Sequence, residues 1–210
     1  MTIMTTHEAE TESRLRNELS DFSKRAFLRD LVSGTGGNMS VRIPGTDTVL
    51  ITPSGVSLAD VEPGINLLIR LDGTVLENPR NMVPSKETSF HLAVYQLRPD
   101  AGAIAHVHPP CATAYSALRK PLPLPTISGR VILKEVPAIE TAMPGSAELR
   151  ELVKEGIVRH PGVKALLMAE HGILALGPDI KTAFYIADLV ESTAKVAFFE
   201  ANLRKNNLGE

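Results

Sequence analysis

The stretch Ala103-Ile104-Ala105-His106-Val107-His108-Pro109-Pro110 is short, apolar and bounded by turn residues, so it reads as a buried strand. Residues two apart on a strand point to the same face. His106 and His108 therefore project to one side, close enough to share a cation. Pro109 and Pro110 cannot continue a sheet ladder, so the strand ends where the pair is presented. The His-x-His spacing alone fits two unrelated polar side chains on a half-buried strand equally well, because a metal site needs three or more ligands.

Upstream of this strand, Pro84-Ser85-Lys86-Glu87 opens a helix. Ser85 is the expected N-cap, Phe90, Ala93, Val94 and Leu97 form the apolar face, and Pro99 ends it. Before that, Leu15, Leu19, Phe22 and Ala26 fall at helical spacing from about Glu10. That helix is expected to end near Val32, where Ser33-Gly34-Thr35-Gly36-Gly37-Asn38 cannot sustain it. Strands at 39–43 and 48–52 make a hairpin, and 66–71 a further strand. Downstream, a short helix is expected over Thr113–Leu118, then a proline-rich loop at 121–125 and a strand at 131–136. Ser146 caps a helix reaching about Val158. Strands Lys164–Met168 and Ile173–Leu176 flank Glu170-His171-Gly172, and a last helix starts after Gly177 with Pro178 in its first turn. The mixture places the chain in the α/β or α+β class. We expect one domain over 10–205 with flexible ends at 1–9 and 206–210.

The 210 residues are 43% hydrophobic and 22% charged, with net charge -2, an ordinary balance for a soluble globular protein. That charge gives no footprint for nucleic acid or an acidic membrane surface. No apolar run spans a bilayer, and the acidic stretch Met1–Glu18 does not read as a secretory signal. The single cysteine excludes an internal disulfide and suits a reducing compartment, so the expected location is cytoplasmic.

His171, followed by a glycine that permits a sharp turn, is a candidate third ligand. Three imidazoles with an open fourth position suit zinc or a similar divalent ion; a satisfied turn histidine is the alternative. Glu87, in the first turn of its helix, reads either as a carboxylate favoured by the helix dipole or as a base beside a metal. Gly36-Gly37-Asn38 and Ser54-Gly55 could cradle an anion in turns. Ser85-Lys86 adds a helix N-terminus and an ammonium. Ordinary turns and a cap explain them as well, and no Walker or dinucleotide pattern is present. Cys111 reads as a small core residue, His91 as core or surface, and His7 and His160 as exposed or loop residues.

Together, Gly36-Gly37-Asn38-Met39-Ser40, Thr52-Pro53-Ser54-Gly55, Pro84-Ser85-Lys86-Glu87, His106-Val107-His108 and Glu170-His171-Gly172, in that order, resemble the class II aldolase/adducin family over about residues 15–200. The resemblance implies a three-layer α/β/α sandwich around a mostly antiparallel sheet. It implies a Zn2+ or other divalent transition-metal site at His106, His108 and His171, with Glu87 as acid/base and as a metal contact when substrate is absent. Gly37, Asn38, Ser54, Gly55, Ser85 and Lys86 would hold a phosphate. The implied assembly is a homotetramer with active sites between subunits.

The implied reaction is cleavage of a carbon–carbon bond in a small phosphorylated hydroxy-ketone through a metal-stabilised enediolate. Decarboxylation of a phosphorylated oxo-acid, sugar-phosphate epimerisation and a non-catalytic adducin-like assembly role are the alternatives. Two departures stand out. The family's second phosphate-site serine is Lys86 here, which suits a carboxylate as well as a phosphate. The tyrosine that one family aldolase takes from the neighbouring subunit has no counterpart in Pro125-Thr126-Ile127-Ser128-Gly129, and no tyrosine follows Tyr185.

Overall fold

The computed structural model describes residues 6–206. Eight strands form one sheet in the order β4-β3-β2-β1-β5-β8-β7-β6. They are β1 (Asn38–Arg42), β2 (Thr48–Ile51), β3 (Leu67–Arg70), β4 (Val75–Glu77), β5 (Ala103–Val107), β6 (Ala138–Ile139), β7 (Ala165–Met168) and β8 (Gly172–Gly177). Only the β6–β7 pair is parallel; the other pairs are antiparallel. The histidine strand β5 lies between β1 and β8, in the middle of the sheet.

Side-chain alternation splits the core into two layers. On one face Met39, Val41, Ala103, Ala105, Ile173 and Ala175 pack with α1 (Thr6–Leu28) and α5 (Ile180–Lys205). On the other, Ile104, Leu174 and Leu176 pack with α2 (Thr88–Leu97) and α4 (Ala147–Arg159). The result is the expected α/β/α sandwich. A short helix, α3 (Pro110–Ser116), follows the histidine strand. No helix among the described residues is long and apolar enough to cross a membrane.

Several boundaries differ from the sequence expectation, each for a local reason. Helix α1 stops at Leu28 rather than near Val32. Asp30 adopts a left-handed conformation (φ 57), the Leu31 N–H reaches Ala26 O and the Asp30 N–H reaches Phe27 O, which is a Schellman stop made without glycine. The helix already runs from Thr6, so of the expected flexible ends, residues 1–5 and 207–210 lie outside the described residues. Residues 129–133 form a π-helical turn instead of the strand expected at 131–136. Val131 and Ile132 are exposed while Leu133 and Val136, three apart, are buried, a spacing that no half-buried strand satisfies. Helix α2 starts three residues after Ser85, which is not its N-cap: the Ser85 hydroxyl accepts the Glu87 N–H and the Ser85 carbonyl accepts the Thr88 N–H. Pro178 precedes the N-cap of α5, Asp179, rather than sitting in the first turn. Ser146 does cap α4, accepting from the Leu149 N–H.

Candidate metal centre

His106 sits on β5 on the α2/α4 face of the sheet and is fully buried. Its Nδ1 lies 3.0 Å from Ile173 O. A carbonyl only accepts, so Nδ1 carries a proton and Nε2 is the nitrogen that faces the cluster. His108 follows the strand end, its backbone N–H tied to Leu31 O at 2.9 Å. Its Nε2 lies 3.0 Å from Nε2 of His106. His171 comes from the far side of the sheet centre, at the turn between β7 and β8. That turn is closed by the His171 N–H on Met168 O and by Glu170 at φ 59. Ligand atoms of the three rings lie within 4.8 Å of one another.

Glu87 completes the cluster. It is the N-cap of α2, yet its side chain does not cap that helix. It points inward instead, with Oε2 3.1 Å from His106 Nε2 and Oε1 3.3 Å from His171 Nε2. A carboxylate placed only for the helix dipole would face its own N–H groups. Burial raises the Glu87 pKa, but the adjoining His106 and His171 rings and the Asn38 amide outweigh it and hold the carboxyl well below the usual carboxylate range. Burial drives His108 down to about 3 and His171 down to about 4. Both rings are therefore neutral, as ligands must be.

The donor set fits a divalent ion. Two imidazole nitrogens on one tetrahedral ion, each at about 2.0–2.1 Å, stand about 3.3 Å apart, close to the 3.0 Å between His106 and His108. Glu87 Oε1 and His171 Nδ1 are buried without a hydrogen-bond partner, a cost that a polar ligand in the cleft relieves.

A cleft of about 180 Å³ opens over the cluster. Gly37, Asn38, Ser54, Gly55, Ser85, Lys86, Glu87, His108 and His171 all line it, together with Thr35 and Pro144. His106 lies just beneath, against Glu87 and His108. The residues that the family resemblance assigned to the site thus gather at one place. Larger grooves of about 670 and 730 Å³ lie elsewhere, but neither is lined by a histidine, and chemistry rather than size marks the site. None of the three tyrosines lines the cleft: Tyr95 is buried beneath α2, Tyr115 lines a separate apolar groove, and Tyr185 is exposed on α5.

Some buried side chains next to the cluster escaped the sequence reading. His91, expected only as core or surface, is fully buried and bonded to Asn38 and Ser40. Its signal was helical spacing: Glu87, His91 and Tyr95 recur every fourth residue. Buried Glu191 on α5 accepts the Cys111 and Ala112 N–H groups and so clamps the segment just after His108. Nothing in the sequence near it pointed there.

A family model described as the class II aldolase and adducin N-terminal domain matches residues 17–198. The chain belongs to that family. The L-fuculose phosphate aldolase of Methanococcus maripaludis is 31% identical over 190 residues, covering 89% of this chain and 99% of that protein. The 3-oxo-tetronate 4-phosphate decarboxylase of Pectobacterium atrosepticum is 32% identical over 196 residues, covering 90% and 85%. A solved L-fuculose 1-phosphate aldolase superposes with a TM-score of 0.83 at 34% identity, covering 94% of this chain and 88% of that one. The family is generally dependent on a divalent metal, and His106, His108 and His171 could hold such an ion.

Proposed function

We propose that this class II aldolase-family enzyme is a lyase that cleaves a carbon–carbon bond in a small phosphorylated hydroxy-ketone. His106, His108 and His171 hold the ion, zinc or another divalent transition metal. The observation that carries this reading is the convergence of three imidazoles and one carboxylate beside a cleft lined by glycine, serine and lysine. Bound there, a divalent ion supplies Lewis-acid stabilisation of negative charge on substrate oxygens.

The chain's own residues do the rest. Gly37, Ser54, Gly55, Ser85 and Lys86 take the phosphate, Lys86 with its ammonium and the others as turn and hydroxyl donors. Asn38 lines the same cleft, but both ends of its amide are engaged inward. Bond cleavage leaves an electron pair on the ketone fragment. Glu87, anionic at rest, takes the proton that the hydroxyl on the departing carbon loses as it becomes the aldehyde, delivers it to the carbon left with the electron pair, and reverses both transfers in the synthetic direction. In a panel of ketose phosphates, aldehyde release with a stoichiometric divalent ion is the expected result. Glu87→Gln should keep the ion and lose turnover by about 10²–10⁴-fold; full activity in that variant refutes the role.

Lys86 favours a second reading. A lysine lining the cleft next to Ser85 suits a substrate carrying a carboxylate, so oxo-acid phosphates belong in the same panel with CO₂ release as the readout. Retro-aldol epimerisation would appear there as an isomeric product. An adducin-like assembly role without catalysis predicts no bound ion and no turnover. The reading includes a homotetramer with active sites between subunits. Exposed Leu118, Phe198, Phe199 and Leu203 on and beside α3 and α5 support an interface between copies. The lone free cysteine, Cys111, supports a reducing cytoplasmic setting.

A further inference from the structure

The polar face of α2 meets the polar face of β1 along a line of buried hydrogen bonds. Glu87, His91 and Tyr95 recur every four residues and share one side of the helix. Asn38 and Ser40 are two apart and share one side of the strand. Four helical residues rise about 6 Å and two strand residues about 6.6–6.8 Å, so the two rows stay in step. Tyr95 Oη lies 2.8 Å from Ser40 Oγ, and Ser40 Oγ 2.7 Å from His91 Nδ1. His91 Nε2 lies 2.6 Å from Asn38 Oδ1, and Asn38 Nδ2 2.7 Å from Glu87 Oε2. All five side chains are buried. Phe90, Val94 and Ile104 surround them with apolar packing, so a wholly apolar row would have filled the space.

The orientation of the Asn38 amide fixes every proton along the row. Its NH₂ faces Glu87 and donates to Oε2. Asn38 Oδ1 then faces His91 and requires a proton on Nε2. That leaves Nδ1 bare, to accept the Ser40 hydroxyl, and Ser40 Oγ in turn accepts from Tyr95. Turning the Asn38 amide over would set two acceptors 2.7 Å apart in a buried site, where nothing relieves the repulsion.

We propose that His91 is a positioning residue for Glu87. By donating Nε2–H to Asn38 it fixes the amide that anchors Oε2, and so leaves Oε1 as the oxygen that exchanges a proton with substrate. Oε1 has no hydrogen-bond partner among the described residues, in keeping with that division. The inference rests on the assignment of Glu87 as the proton-transfer group.

The test has two arms. In protein labelled with ¹⁵N-histidine, the His91 ring, assigned by its loss in His91→Asn, should show the Nε2–H tautomer before and after zinc is added. The Nδ1–H tautomer overturns the proposal without any substrate being needed. In steady-state kinetics, His91→Asn should lower kcat about 10–100-fold while metal content stays stoichiometric and KM moves little. His91→Gln restores a donor near the Nε2 position and should recover most of that loss. Equal loss in the two variants, or loss matched by lost metal or lost folded protein, overturns the proposal. Absence of turnover on every sugar phosphate and oxo-acid phosphate would instead refute the activity proposed above, and the tautomer would still decide the direction of the row.

Discussion

Adding one methyl group at Gly172 should disarm the site. Gly172 follows His171 and opens β8, opposite the end of the histidine strand. A Cβ built there would lie 2.5 Å from Val107 O and 2.6 Å from His108 Cδ2. Ordinary contact starts at 3.4 Å, so β5 and β8 must part by about 0.9 Å or the His108 ring must swing away; such overpacking costs about 1–3 kcal/mol. For a chain of this length that corresponds to about 2–12 °C in melting temperature. The displacement falls between two of the three imidazoles, so ion affinity should drop by about 10–100-fold. Thermal unfolding of the metal-free protein reads the first effect, and zinc titration against a chromophoric chelator reads the second. Gly162→Ala is the control: nothing lies within 4 Å of its Cβ position, and it should stay within about 0.5 kcal/mol of the parent. If Gly172→Ala matches the parent in both measurements, the packing argument for the site is wrong.

Other outcomes follow from features away from the ligands. Glu191→Ala leaves the Cys111 and Ala112 N–H groups without their acceptor, which should cost about 1–3 kcal/mol in urea unfolding and loosen the segment after His108. Ser146→Ala removes the α4 cap; it should cost about 1 kcal/mol with kcat unchanged. His91 links stability to pH. Burial lowers its pKa from 6.5 to about 3 in the folded state, so between those values the unfolded chain binds the extra proton. Its contribution is fully present above about pH 6.5 and is lost as pH falls toward about 3. His91→Gln cannot titrate, so its melting temperature should fall less steeply than the parent's between pH 6.5 and pH 4. Parallel curves would refute the assignment.

The centre of the sheet was legible because its strands carry strong local signals. The His106 strand, the 39–43/48–52 hairpin and the two strands flanking His171 are apolar runs with glycine or proline at their ends. Edge strands β4 and β6 were missed. Val75–Glu77 is exposed throughout and Ala138–Ile139 is two residues long, so neither has a periodicity to read. The helical turn at 129–133 was taken for a strand because an apolar run that short looks alike in both states. The end of α1 was misplaced because an aspartate stands where a glycine usually does. At the site, the histidines and Glu87 were legible as residues that could meet, whereas the placement of the two Glu87 oxygens, Oε2 against Asn38 and His106 and Oε1 against His171, was not. It depends on how α2 lies across β1, and no single segment encodes that.

The imidazoles that would share an ion come from two places that are neighbours only once β5, β8 and the β7–β8 turn have come together. An unfolded chain offers the cation no such trio, so binding and folding are linked by mass action. Free zinc at a hundred times its dissociation constant would stabilise the native state by about 2.7 kcal/mol. A melting temperature measured without fixing the concentration of free ion would therefore describe the buffer as much as the protein.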